Sequence, residues 1–187
     1  MSAELDLRFR PLDRDDLPLL CEWLAKPHVR PWWREPFDAR SVETRYGPAI
    51  DGTDPTRLFV VEDNDTPIGM IQWYLLDDNP DWQRSLSVTG TPRHAAGIDY
   101  LIGAEDHVGR GVGPTMIEQF LLKFASAALP SGSVVTSVDQ ANQRSWRALE
   151  KIGFRRVWAG ELDSEDPSDE GPSFVYVRSI RTWPDRR

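Results

Sequence analysis

The sequence predicts a single α/β domain, and three observations carry that reading. The chain has 187 residues, a length within the usual range for one domain and enough to bury a real core. Its apolar residues switch between the strand and helix periods, with a helical pair early and a β-α-β-α-β order late. No internal repeat or linker divides it. Hydrophobic residues make up 40% and charged residues 28%, which is ordinary for a globular protein.

The elements follow in chain order. Leu5, Leu7 and Phe9 alternate with charged residues and predict a strand. Asp13 is placed as the N-cap of a helix over residues 15–25, where Leu17, Leu20, Trp23 and Leu24 recur at helical spacing until Pro27 ends it. Residues 28–36, with Pro31, Trp32, Trp33 and Pro36, read as a rigid aromatic loop, and a shorter helix follows from residue 38 to about 46. Strands at 58–62 and 68–76 flank Asp63-Asn64-Asp65, a turn signal that predicts a hairpin.

Residues 77–92 are polar and turn-rich and contain Trp82. A short buried strand is expected at 97–103, a glycine-rich turn at 109–113, and a helix at 114–128 with Met116, Ile117, Phe120, Leu121 and Phe124 on one face. Strands at 133–138, 155–159 and 174–180 and a helix at 142–152 complete the chain. The stretch 161–170 is acidic, contains Pro167 and reads as a solvated loop. The core is expected at about 5–180, with 181–187 as a C-terminal tail.

Composition narrows the function. Cys21 is the single cysteine, so an intrachain disulfide and a cysteine-based metal cage are both excluded. His28, His94 and His107 lack metal-ligand spacing and read as surface or packing residues, so no metal is expected. Residues 1–10 hold no apolar run of signal-peptide length, and no segment approaches the roughly 20 apolar residues of a membrane span. The cytoplasm is the expected compartment. The net charge of -8 argues against nucleic acid or an anionic membrane as partner; it suits a cationic partner, or solubility alone.

The run His107-Val108-Gly109-Arg110-Gly111-Val112-Gly113-Pro114-Thr115 carries the most information. A strand leads into alternating glycines, and a helix opens at once behind them. Such a turn leaves backbone N–H groups free at a helix N-terminus, where the helix dipole also favours an anion. Glycines let the backbone approach a diphosphate, and the missing N–H of Pro114 costs nothing in a first helical turn. A P-loop would need a lysine here, and a dinucleotide fingerprint would need glycine in place of Pro114. A glycine-rich connection without a ligand is the alternative.

Gly109-Arg110-Gly111-Val112-Gly113 resembles the acetyl-CoA pyrophosphate loop of the GNAT superfamily, [QR]-x-x-G-x-[GA]. A second signature, an Asn opening a helix that ends in Glu-Lys-x-Gly-Phe, matches Asn142 through Glu150-Lys151-Ile152-Gly153-Phe154. Within that superfamily the chain is similar to the aminoglycoside 6'-N-acetyltransferases, through Glu22-Trp23-Leu24, Trp32-Trp33, Trp82 and Gly97-Ile98-Asp99. The resemblance implies one N-acetyltransferase domain over residues 1–187. Its fold is a central, mixed, mostly antiparallel sheet flanked by helices, with a splayed strand pair at the acyl-CoA site.

It also implies the chemistry: direct attack of a neutral amine on the thioester of acetyl-CoA, without metal or covalent enzyme intermediate. Asp99 stands where these enzymes carry their candidate base, which takes the amine proton directly or through water; in a strand its side chain points away from Ile98 and Tyr100. An Asp satisfied by neighbouring backbone N–H groups is the alternative. A backbone N–H of Leu101, Ile102 or Gly103 would serve the thioester oxygen, and Gly103 would let the strands splay. Val108, Gly109, Arg110, Gly111, Val112, Gly113, Pro114, Thr115 and Asn142 complete the expected donor site. Leu149 stands where a tyrosine often protonates the departing thiolate, which a thiol's pKa near 8.5 makes tolerable.

Trp32, Trp33, Tyr74, Trp82 and Asp99 are the expected acceptor site, since aromatic walls suit a sugar ring or an ammonium group. Trp73 reads as core. The expected acceptor is a small cationic amine, an aminoglycoside among the choices, although residues 83–90 lack the acidic cluster those enzymes carry after the matching tryptophan. Another small amine, a siderophore precursor, or a silent acyl-CoA-binding role are the rivals. A monomer or homodimer is expected.

Overall fold

The computed structural model describes residues 5–125 and 132–180. The elements run β1 (Leu7–Pro11), α1 (Leu17–Ala25), α2 (Ala39–Ile50), β2 (Arg57–Asp63), β3 (Thr66–Leu75) and α3 (Pro80–Ser85). They continue with β4 (Ala96–Ile102), α4 (Val112–Phe120), β5 (Ser133–Asp139), α5 (Gln143–Lys151), β6 (Arg155–Glu161) and β7 (Pro172–Ser179). The strands form one sheet in the order β1-β2-β3-β4-β5-β7-β6. All neighbours are antiparallel except β4 and β5. This is the mixed, mostly antiparallel sheet that the resemblance implies.

Alternation along the strands divides the apolar residues between two layers. Ile71, Trp73 and Ile98 bury against Met116, Ile117 and Phe120 of α4 and Leu149 of α5. On the opposite face, Val60, Met70 and Leu101 bury against Leu20, Trp23 and Leu24 of α1 and Val42 and Tyr46 of α2. Trp73 is thus a core residue, as expected.

Several local signals act as predicted. Asn64 and Asp65 have φ of 48° and 61°, the left-handed pair that a two-residue hairpin turn demands, and they join β2 to β3. The Asp13 side chain accepts from Asp15 N in a capping box that opens a 3-10 turn leading into α1. At the end of α5, Gly153 (φ 84°) sends its N–H to Glu150 O, and Phe154 sends its N–H to Leu149 O. That is a Schellman closure.

Three boundaries differ. The second helix runs on to Ile50 through Pro48, because buried Val42 and Tyr46 anchor it, while Thr53 and Asp54 N–H groups tie the Pro48 carbonyl at its end. The stretch 77–92 contains α3 and two 3-10 turns rather than only turns. The fourth helix starts at Val112, before Pro114, and continues as a π-helical turn over Leu121–Ala125. The expected helical residues 126–128 and the expected tail 181–187 lie outside the described residues.

What positions the site is the parallel pair. β4 and β5 are joined only at Ala96–Val134 and Gly97–Val135, although β4 continues to Ile102 and β5 to Asp139. The remaining lengths diverge and leave a gap in the middle of the sheet.

Candidate active site

Asp99 follows that last β4–β5 pair by two residues, on the face that carries Gly97 and Leu101. Its neighbours across β3 are Gln72, directly opposite, and Tyr74, opposite Gly97. Here the sheet lines a cleft of about 970 Å³. The structure brings Trp32, Trp33, Tyr74, Trp82 and Asp99 to its walls, so all five expected acceptor residues converge. Its lining also includes Tyr100, Thr136, Ser137, Val138, Asn142 and Ser145 from the strands and helix that flank the gap.

The Asp99 carboxylate accepts from Gln72 Nε2 at 2.9 Å. Burial pushes its pKa up from 3.8 to about 6, while Gln72 and Tyr74 pull it down, Asp166 raises it and Arg45 lowers it. At neutral pH the group is therefore mainly ionised yet more basic than an ordinary aspartate, as a general base requires. Its donors are side chains, in contrast to the backbone alternative. Asp169 is the second carboxyl raised in the cleft: burial, with the charges of Asp99 and Asp166, pushes it up to about 7 against a hydrogen bond from Ser164 and the charge of Arg45.

The acidic stretch 161–170 corrects the expectation of a solvated loop. Asp163, Glu165, Asp166 and Asp169 line the cleft, because two arginines hold the loop in place. Arg34 donates to Asp139 Oδ2 at 2.5 Å and to the carbonyls of Pro31, Pro167 and Glu170, and its own N–H reaches Ser168 Oγ. Arg45 pairs with Glu35 at 3.2 Å and with Asp166 at 2.7 Å. Trp33 donates its indole N–H to Tyr46 Oη, which donates to Glu35. Aromatic loop, α2 and acidic loop thus form one wall. Eleven carboxylates line the cleft against two arginines, so a polyphosphate is repelled from it and a cation attracted.

The glycine turn lies outside that lining. Gly109 and Gly111 have φ of 81° and 82°; a Cβ at either would meet open space, so backbone conformation is what calls for glycine at these positions. Gly111 is the N-cap of α4, and the N–H groups of Val112 and Gly113 belong to the first turn, which has no intrahelical acceptor for them. Pro114 brings no N–H, Thr115 Oγ1 donates to Gly111 O, Val108 is half-buried, and Arg110 is exposed beside the turn. The arrangement fits a diphosphate outside the cleft, with the gap leading inward towards Asp99.

Among the three expected oxyanion donors the geometry separates one. The N–H of Gly103 is bonded to Ile68 O at 2.9 Å, and alternation turns the N–H of Leu101 towards β3 as well. The N–H of Ile102 faces the other way, as does its carbonyl, which meets His28 Nε2 at 2.9 Å. Gly103 does not splay the strands: a Cβ on it would stand 2.1 Å from the Trp23 ring, so it is a packing glycine. Leu149 is fully buried in the core. The Asn142 side chain accepts from Ser145 N and caps α5.

Sequence reading missed Tyr100, whose hydroxyl meets Ser145 Oγ at 2.7 Å, as well as Gln72, Arg34, Arg45 and Asp139. One signal for Gln72 was present, a polar residue inside an apolar strand. The arginines gave none, because their partners are distant in sequence. Among the described residues, no group of three or more His, Cys, Asp and Glu is arranged to hold a metal, and no helix is long and apolar enough to cross a membrane.

A mixed sheet with one opened parallel pair, a glycine turn at a helix N-terminus outside the cleft and a raised carboxyl inside it has the layout of an acyltransferase. Residues 13–162 match the Acetyltransferase (GNAT) domain family, and the chain belongs to that family. It is 28% identical over 180 residues to the aminoglycoside N(6')-acetyltransferase type 1 of Klebsiella pneumoniae, covering 93% of this chain and 83% of that one. Its fold matches a structure of AAC(6')-Ib in complex with ribostamycin and coenzyme A (TM-score 0.76, 24% identity, 97% and 98% of the two chains). It also matches spermidine N-acetyltransferase from Vibrio cholerae in complex with CoA and spermine (TM-score 0.66, 19% identity, 92% and 94%).

Proposed function

We propose that this enzyme transfers the acetyl group of acetyl-CoA to an amine of an aminoglycoside. The observation that carries the acceptor class is the cleft itself, with eleven carboxylates, Asp99 among them, and an aromatic wall. An aminoglycoside presents several ammonium groups on sugar rings, which such a cleft suits. Its volume of about 970 Å³ is ample for a ligand of several rings. The curated relatives bear the same activity in their names.

Acetyl-CoA supplies the thioester carbonyl. The N–H groups of Val112 and Gly113 and the open turn at Gly109–Gly111 hold its diphosphate, and the gap past Gly97 and Val135 admits its arm. Asp99 receives the proton of the attacking amine, and the Ile102 N–H serves the carbonyl oxygen as the C–N bond forms and the C–S bond breaks. Trp32, Trp33, Tyr74 and Trp82 wall the acceptor. The thiolate leaves without help from Leu149. The cytoplasm, where acetyl-CoA is available, is the compartment this reading requires.

Release of free thiol from acetyl-CoA, measured with kanamycin, spermidine and a lysine-type amine in parallel, tests the reading. Kanamycin is expected to have the highest kcat/KM, and Asp99→Asn to lower turnover by at least about a hundredfold. Preference for spermidine or the lysine-type amine would reassign the acceptor. No transfer to any amine, with acetyl-CoA still bound, would mean a silent binding module.

A further inference from the structure

Tyr74 and Gly97 face each other across β3 and β4, as Gln72 and Asp99 do two residues away. A Cβ on Gly97 would lie 2.1 Å from Cε2 of Tyr74 and 2.6 Å from its hydroxyl oxygen. Gly97 is absent from the positive-φ glycines, so the tyrosine ring, not the backbone, calls for glycine there. The missing side chain lets the Tyr74 ring lie over β4 beside Asp99, and the ring is buried. Burial and the Asp99 charge push the ionisation of Tyr74 well above the usual tyrosine value, so its hydroxyl keeps its proton. Gln72 Nε2 stands 2.9 Å from the carboxylate, and Tyr74, two residues along the same strand, also favours its ionised form.

We propose that Gln72 and Tyr74 are positioning residues that, in the space left by Gly97, hold the Asp99 carboxylate facing the cleft in its proton-accepting form. The inference rests on Asp99 being the base. The other charged groups that act on Asp99 are Asp166 from the acidic loop, which opposes its ionisation, and Arg45 from α2, which favours it; Asp169 faces the same site and is itself raised by the Asp99 charge. Arg45 is already engaged by Glu35 and Asp166. Gln72 and Tyr74 are the neutral donors that offset burial at this group. Without them Asp99 carries a proton nearer neutrality and cannot take one from the amine.

The test is a ¹³C NMR titration of the Asp99 carboxyl, assigned by its loss in Asp99→Asn, in the parent, Tyr74→Phe and Gln72→Leu proteins. The pH dependence of kcat/KM for acetyl transfer is recorded beside it. The parent is expected to titrate near 6 and each variant about one unit higher. The acid limb of the rate profile should move with it, so that the ratio of kcat/KM at pH 8.5 to kcat/KM at pH 6 rises several-fold in each variant. Gly97→Ala should reproduce the Tyr74→Phe shift; Tyr74→Phe keeps the ring and its packing, so it reads the hydroxyl alone. An unchanged Asp99 titration in both Tyr74→Phe and Gln72→Leu overturns the inference. A carboxyl that moves while the rate profile stays in place supports the cradle and removes Asp99 as the base.

Discussion

Asp99 shows what a basic carboxylate costs the fold. Its folded pKa, about 6, lies above its ordinary value of 3.8, so between those pH values the native state binds more protons than the unfolded chain. Stability from this group therefore falls as pH rises from 3.8 to 6 and stays lowered above 6. Asp99→Asn removes that charge. The variant is expected to unfold at higher temperature than the parent at pH 7.5, with a gain of at most about 3 kcal/mol that vanishes below about pH 4. Differential scanning calorimetry at both pH values checks this; an Asn variant less stable than the parent at pH 7.5 would refute the burial account. Asp99 was legible in the sequence because a short motif, Gly97-Ile98-Asp99, marks it. Its partner Gln72 stands 27 residues away and only strand register brings the two together, so the polar residue in an apolar strand was visible but its pairing with Asp99 was not.

The elements were legible wherever local signals agreed with the tertiary structure. The hairpin at Asn64-Asp65, the cap at Asp13 and the closure at Gly153 are short-range devices, and each acts where its residues stand. The acidic loop was misread because its position depends on Arg34, whose carboxylate partner Asp139 is 105 residues away in sequence. Arg34 and Asp139 are both largely shielded, with side-chain exposures of 29% and 13%, so this pair is screened less than a surface ion pair. Arg34→Ala is expected to loosen the loop and to raise acceptor KM by roughly tenfold, the equivalent of about 1.4 kcal/mol. The KM for acetyl-CoA should stay within about twofold, because the glycine turn lies outside the cleft that the loop lines. Steady-state kinetics with each substrate varied in turn measures both; equal effects on the two would show a general disruption instead of a displaced wall.

At the scale of the whole molecule, the open parallel pair is what, on the proposed function, would let one sheet serve two substrates of opposite charge. The acidic cleft attracts a polycation and would repel a polyphosphate, and the turn that suits a diphosphate lies outside it. The net charge of -8 hinted at a cationic partner without showing that the carboxylates gather in one cleft, since a sum carries no position. The central claim is that the donor's diphosphate sits on the turn at Gly109–Gly113. Isothermal titration of acetyl-CoA into the parent and into Gly111→Val tests it, because a β-branched residue is strongly disfavoured at the φ of 82° that this position adopts. One-to-one binding by the parent, weakened by at least about tenfold in a folded Gly111→Val protein, is the predicted result. No binding by the parent, or equal affinity in the two proteins, would contradict it.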